Sequence, residues 1–216
     1  MKSFLILLAL SFFSVANAQV LVIGIDIPGL HQKDGNGDYD KIVNQSLVKS
    51  GKATLKVLPP ARAELEFSRC NNCCFSPANK NPEFYEFGEA YVQTKPMGIA
   101  KIYIWSKKGS KAIEKLDELK GKKVGIRHGM PYGKTFDNFG LRTDPVKTIR
   151  SNILKLEKGR IDAFIAYVPD AYNVFEEMGI EPLPHTKNNP MAVHEDSLIC
   201  KGVSNTFVEE FNNSIK

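Results

Sequence analysis

Apolar and polar positions along this chain alternate between two periods. Short, nearly unbroken apolar runs lie at 20–26, 54–58, 99–105, 123–126 and 161–167, with a further one opening at Cys73 and another over 191–200. Runs of that length read as strands buried on both faces. Between them the apolar residues fall at helical spacing. Tyr39, Ile42, Val43 and Leu47 form one stripe, opened by Asp38 as N-cap and stopped at Ser50-Gly51. Residues 61–69 read as a short helix after Pro59-Pro60, and a helix after the 127–133 loop is expected to end at Gly140. Ile149, Ile153 and Leu156 make a stripe ended by Gly159. Pro169 and Gly179 bracket the next helix, and Ser204 caps a last one carrying Phe207, Val208, Phe211 and Ile215. Strands alternating with helices predict parallel sheets covered by helices, an α/β protein. In such folds ligands sit beyond the carboxyl ends of the strands. The loops at 27–38, 76–83, 127–133 and 167–170 are therefore the ones to watch.

The N-terminus follows a different pattern. Lys2 precedes an apolar run over 4–16, and Ala16-Asn17-Ala18 supplies small residues in the A-x-A arrangement. This is the layout of a secretory signal, with cleavage after Ala18. The run is shorter than the roughly 20 residues a membrane span needs. The expectation is a signal peptide over 1–18, export to the periplasm, and a mature chain from Gln19 long enough for one good core or two small ones.

The formal net charge of +5 is spread over interspersed Lys, Asp and Glu, which reads as a solvated mixed surface. No basic block with interleaved aromatics argues for nucleic acid. Cys70, Cys73, Cys74 and Cys200 follow the leader, and export permits disulfides, in any of three full pairings. Cys73 and Cys74 would face opposite sides of a strand. Cys70-Asn-Asn-Cys73 is also a CxxC, so metal or redox chemistry stands beside disulfides or buried thiols, although no His is near and no second CxxC exists. Residues 34–40, D-G-N-G-D-Y-D, start like a calcium loop but put Tyr39 and Gln45 where Gly and Glu belong, so a polar turn is the better reading. His31, His128, His185 and His194 are dispersed. No metal and no cofactor is expected.

Two segments carry a family resemblance. Residues 116–129, L-D-E-L-K-G-K-K-V-G-I-R-H-G, are similar to the "L-x-x-L-x-G-K-x-V-G-V-x-x-G" segment of the extracellular solute-binding proteins of family 3, associated with polar amino-acid transporters. Residues 156–164, L-E-K-G-R-I-D-A-F, resemble that family's "L-x-x-G-R-x-D-A" turn. Pro60-Ala-Arg62, and Phe84 to Phe87 before Tyr91, are weaker parallels. The resemblance spans nearly the whole chain after the leader. It implies the type II periplasmic-binding fold, two α/β lobes joined by two crossing strands at about 102–107 and 193–200. Lobe one would take 19–105 plus 193–216, and lobe two 106–192. A hinge would close the lobes over a ligand.

The family clamps an α-carboxylate with the Arg of an "S/T-P-E-R" loop. Here that loop reads Ser76-Pro77-Ala78-Asn79-Lys80, so Asn79 takes the place of Arg. The family's acid for the α-ammonium falls near Tyr167. A slip in register would bring Lys80 or Asp170 into these places instead. Both handles being altered argues for a small polar ligand other than a standard α-amino acid. The expected ligand-binding residues are Ser76, Asn79, Arg127, His128, Gly129, Met130, Tyr132 and Tyr167, with Tyr167 alternatively a packing residue. Asp162 is read as holding the turn after Gly159. The resemblance implies a monomer serving an inner-membrane permease, or alternatively a membrane sensor. A cleft enzyme is the least favoured reading, with His128 as its only acid–base nominee.

Overall fold

The structure is a computed structural model and describes residues 19–215. The leader over 1–18 lies outside the described residues. Nine strands form one mixed sheet: β1 (Val20–Ile25), β2 (Ala53–Leu58), β3 (Cys73–Ala78), β4 (Val92–Gln93), β5 (Gly98–Ser106), β6 (Lys123–Arg127), β7 (Arg142–Val146), β8 (Ala163–Val168) and β9 (Ala192–Lys201). The helices are α1 (Asp38–Val43), continued by a π-helical turn over Asn44–Val48, then α2 (Pro60–Arg69), α3 (Lys134–Asp137), α4 (Ile149–Glu157), α5 (Asp170–Glu177) and α6 (Asn205–Ser214).

The sheet runs in the order β2-β1-β3-β9-β5-β8-β6-β7, with β4 on β9. β1 pairs in parallel with β2 and β3, and β6 in parallel with β7 and β8. These two parallel groups are the cores of two lobes. β5 and β9 link them. β9 lays Ser197–Lys201 against β3 and Ala192–Asp196 against β5, while β5 lays Lys101–Ser106 against β8.

Each parallel group is covered on both faces, which is why its strands read as unbroken apolar runs. On one side of β1, Val20 and Val22 pack with Val43, Leu47, Phe207 and Phe211, so the C-terminal helix α6 returns to the first lobe. On the other, Ile23 and Ile25 pack with Ala63 and Phe67 of α2. In the second lobe, Trp105 and Phe164 meet Ile149, Ile153 and Leu156 of α4 and Phe175 of α5. The opposite face joins Ile104, Val124, Phe136 and Ile165. The alternation of β3 sends Cys73 into the α2 side and Cys74 into the α6 side. The four cysteines form two disulfides, Cys70–Cys73 and Cys74–Cys200. The second ties β3 to β9 across their antiparallel register.

Three local expectations change. Gly37, not Asp38, is the N-cap of α1. The first-turn amides of Asp38, Tyr39 and Asp40 donate to Gly29 O and Leu30 O, while Asp40 Oδ2 accepts the cap amide Gly37 N at 3.0 Å and the loop amide Gln32 N at 2.7 Å. The helix expected to reach Gly140 is the single turn α3, which buries only Phe136. β7 was not foreseen. It contains Pro145, which a sheet accepts there because β7 is an edge strand. Asp162 acts as a turn holder: its Oδ2 accepts Lys123 N at 2.7 Å. Asp34 accepts from Asn36, making the 34–40 segment a polar turn. Among the described residues no group of His, Cys, Asp or Glu is placed to hold a metal, and no helix is long and apolar enough to cross a membrane.

Candidate functional site

The carboxyl ends of β1, β3, β6 and β8 converge between the lobes. They line a small, partly open pocket of about 10 Å³, room for about one water. Its first-lobe wall is Ile25, Ile27, Leu30, Pro77 and Tyr85. Its second-lobe wall is Met130, Pro131, Tyr167 and Asp170. Ala100, His194 and Asp196 of the two linking strands form its base. A neighbouring hollow of about 220 Å³ shares Ile25, Tyr85, Met130 and Pro131, and adds Glu64, Phe75, Phe84 and Gly129. Larger hollows exist, one of about 720 Å³ beside Val20, Lys52 and Glu210. That one lies at the amino end of β1, away from the loops that carry ligands in such sheets.

The polar groups at the base are tightly organised. Tyr39 Oη donates to Asp196 Oδ2 at 2.7 Å, and His194 Nδ1 bonds Asp196 Oδ1 at 2.7 Å. His194 is 3% exposed, and its Nε2 has no partner. The rings of Phe84, Tyr85 and Tyr167 stand edge-on around it. Gly98 makes room for this relay: a Cβ there would stand 2.4 Å from Tyr39 Oη. Asp170 opens α5 and is 2% exposed. Burial first, and then the Asp196 charge, push its carboxyl up to about 7, against the pull of its own backbone amide and Arg127. Burial also raises the Tyr39, Tyr85, Tyr132 and Tyr167 hydroxyls, so all four are neutral donors at physiological pH.

Direct contacts hold the lobes together around the cavity. Arg127 Nη2 donates to Asp26 O at 2.5 Å, and Asn173 Nδ2 to Pro28 O at 2.9 Å. Glu83 takes two amides of the α3 turn: its carbonyl accepts Lys134 N at 2.8 Å and its Oε1 accepts Thr135 N at 2.7 Å. Gly129, at φ +77°, approaches α2 so closely that a Cβ would meet Ala61 N at 2.5 Å.

The arrangement of two lobes and two linking strands recurs in solved structures. One is an arginine-bound mutant of ArgBP from T. maritima, at TM-score 0.66 and 14% identity over 91% of this chain and 94% of that one. Another is the GluR0 ligand-binding core with L-glutamate, at TM-score 0.68 and 12% identity over 93% and 91%. A third is a histidine kinase sensor domain with similarity to periplasmic binding proteins, at TM-score 0.66 and 15% identity over 91% and 88%. This is the periplasmic binding protein fold. No family model and no curated protein matches the chain.

Within that fold the eight residues singled out from the sequence separate. Met130 and Tyr167 line the cavity, and Tyr167 Oη donates to Pro131 O. Tyr132 lies just behind, its Oη accepting Arg127 N at 2.9 Å. Gly129 is at the neighbouring hollow. Arg127 is buried rather than solvent-facing. It lines a crevice of about 200 Å³ between Pro28 and Thr148, with Nε on Lys147 O at 3.2 Å. His128 is exposed, and its backbone amide bonds Val146 O. Asn79 is consumed locally: Nδ2 donates to Glu195 O and Oδ1 accepts Asn81 N. Lys80 is exposed and tied to Tyr91 O.

Ser76 belongs to a second relay. Its Oγ lies 2.8 Å from His31 Nε2, and His31 Nδ1 lies 2.7 Å from Asp40 Oδ1. That order of hydroxyl, imidazole and carboxylate is the one that activates a nucleophile. Here all three residues are fully buried and none lines the cavity, so the chain of bonds is a tie. It pins the 27–38 loop onto β3, with His31 seated against Gly24. Asp196, His194 and Tyr85 were not among the sequence candidates, and Asp170 entered only as the residue a slip in register would bring to the family's acid position. The alternation on β9 carried a signal for two of them: His194 and Asp196 are buried while Val193 and Glu195 are exposed.

Proposed function

We propose that this chain is an exported receptor that captures a small molecule between its lobes. Lobe one comprises 19–105 and 193–216, and lobe two 106–192. The observation that carries the reading is the convergence of buried Asp170, Asp196 and His194 on one small pocket at the strand ends, where β5 and β9 link the lobes. Buried titratable groups are costly for a fold and concentrate where a ligand is to be met. Two segments from each lobe wall the cavity over a base of β5 and β9, so displacement about those two strands opens it, and reclosure buries the ligand. The cavity as it stands admits a single water-sized group, so this is the closed arrangement. A solute of any larger size enters by displacing the lobes.

Capture followed by delivery to an inner-membrane permease, or contact with a membrane sensor, fits an exported monomer of this fold. An arginine-bound ArgBP and a ligand-binding core in complex with L-glutamate share this architecture, and so does a histidine kinase sensor domain. A thermal-shift screen of the mature chain against amines, organic acids, amino acids and sugars tests the reading. A ligand at one hundred times its dissociation constant adds about 2.7 kcal/mol to the folded state. A screen in which no small molecule raises the melting temperature removes the proposal's support.

A further inference from the structure

We infer that the cleft selects a small organic cation, a primary ammonium head on an apolar body, and offers no counter-charge for a carboxylate. This rests on reading the cleft as a ligand site. The charges that line the cavity have one sign. Asp170 and Asp196 are there, and no Lys or Arg is. The nearest guanidinium, Arg127, is felt by Asp170 but lines the separate crevice beside Thr148 rather than the cavity; it spends Nε and Nη2 on backbone carbonyls and keeps Nη1 buried without a partner.

The hydrogen-bonding demand has one sense as well. Asp196 accepts from Tyr39 and from His194 Nδ1, so that ring nitrogen carries the hydrogen. Nε2, on the far side of the ring, is buried and without a partner, and is a lone pair whenever the ring is neutral. An unmet lone pair and a carboxylate at one cavity both call for donors. An ammonium brings three N–H donors and a positive charge. A carboxylate brings only acceptors, and would add a third negative charge in a poorly solvated space.

Size agrees with charge. The cavity holds one water-sized group, which an ammonium head matches and a three-atom carboxylate exceeds. The body of the ligand has a place beside it. The 220 Å³ hollow is walled by Phe75, Phe84, Tyr85 and Met130, an apolar and aromatic surface that also favours a nearby cation. Glu64 is the one acid in the lining of that hollow, beside the two of the cavity.

The test uses isothermal calorimetry on the mature chain at about pH 8, where Asp170 is ionised. The amine probes are 2-phenylethylamine, butylamine and 1,4-diaminobutane. The matched controls are 3-phenylpropionate, butyrate, 2-phenylethanol, L-arginine and L-glutamate. At least one amine is expected to bind while the matched acids and alcohol do not. Asp170→Asn is expected to weaken that amine at least tenfold while melting no lower than the parent, because the substitution removes a buried charge. Binding of an acid, an alcohol or an amino acid in place of every amine overturns the cation inference and leaves the ligand-binding cleft standing. Binding by no probe of any class overturns both. Equal amine affinity in the Asn variant removes Asp170 from the site.

Discussion

Asp170 allows a prediction that needs no ligand. Its carboxyl is buried to 2% exposure and raised from 3.8 to about 7. It is faced by Asp196 from β9, Tyr39 from α1, Arg127 at the end of β6, Tyr132 from the following loop and Tyr167 from β8. A folded-state value above the unfolded one means that the folded protein holds this proton more tightly. The corresponding stability is complete below about pH 4 and is lost as pH rises towards 7. A shift of about three units, at about 1.4 kcal/mol each, makes that loss about 4 kcal/mol. Asp170→Asn keeps the shape and does not titrate. The melting temperature of the variant minus that of the parent should therefore rise between about pH 4.5 and about pH 8. With roughly 2–4 °C per kcal/mol for a chain of this size, the rise is on the order of 10 °C. Circular dichroism melts at several pH values measure it, and groups common to both proteins cancel in the difference. A difference that stays flat over this range, or a parent more stable than the variant at pH 8, would refute the burial argument.

Three further outcomes follow from the geometry. Gly129→Ala places a methyl against Ala61 across the lobes at a positive φ, so it should weaken ligand binding by about tenfold or more at a stability cost of only about 1–2 kcal/mol; calorimetry alongside thermal melts separates the two effects, and unchanged affinity would show that α2 and the 127–133 loop do not close together. Removing the Cys74–Cys200 disulfide, which spans 126 residues, should cost about 5 kcal/mol against about 2 for Cys70–Cys73, which spans 3; urea unfolding of the two paired Cys→Ser variants reports the contrast, and equal losses would contradict it. Asp40→Ala strips two backbone amides and His31 of a buried acceptor and should cost about 3–5 kcal/mol, whereas Ser76→Ala, which leaves that acceptor in place, should cost about 1–2; denaturant melts check the ranking.

The architecture was legible because both lobes bury both faces of parallel strands. Runs such as 20–26 and 161–167, set between helical stripes, leave few other arrangements. β7 escaped because an edge strand needs no apolar run, and Pro145 argued against one. The site was legible only in part. Met130 lies in the loop after β6 and Tyr167 near the carboxyl end of β8, where position alone marked them. Asn79 and Ser76 carry suitable chemistry at a suitable place, yet backbone groups and His31 consume it. Hydrogen bonds to residues 116 and 45 positions away cannot be read from local pattern. Asp196 and His194 sit far along the chain from the cavity's other walls and reach it only because β9 crosses between the lobes. Asp170 could be reached from the sequence only through a slip in register, because its place in the first turn of a helix does not reveal its burial.

The central claim is that a small molecule is bound between the lobes. Methyl NMR of the chain labelled at methionine tests it most directly, because the methionines are well placed. Met130 lines both the cavity and its neighbour, Met97 lines an outer hollow with Ile42 and Ile215, and Met178 packs in the second lobe beside α5. On titration with a compound that raises the melting temperature, the Met130 resonance should move in a saturable way while those of Met97 and Met178 hold still. Movement of Met97 with Met130 unchanged would put the ligand on the outer surface and contradict the account.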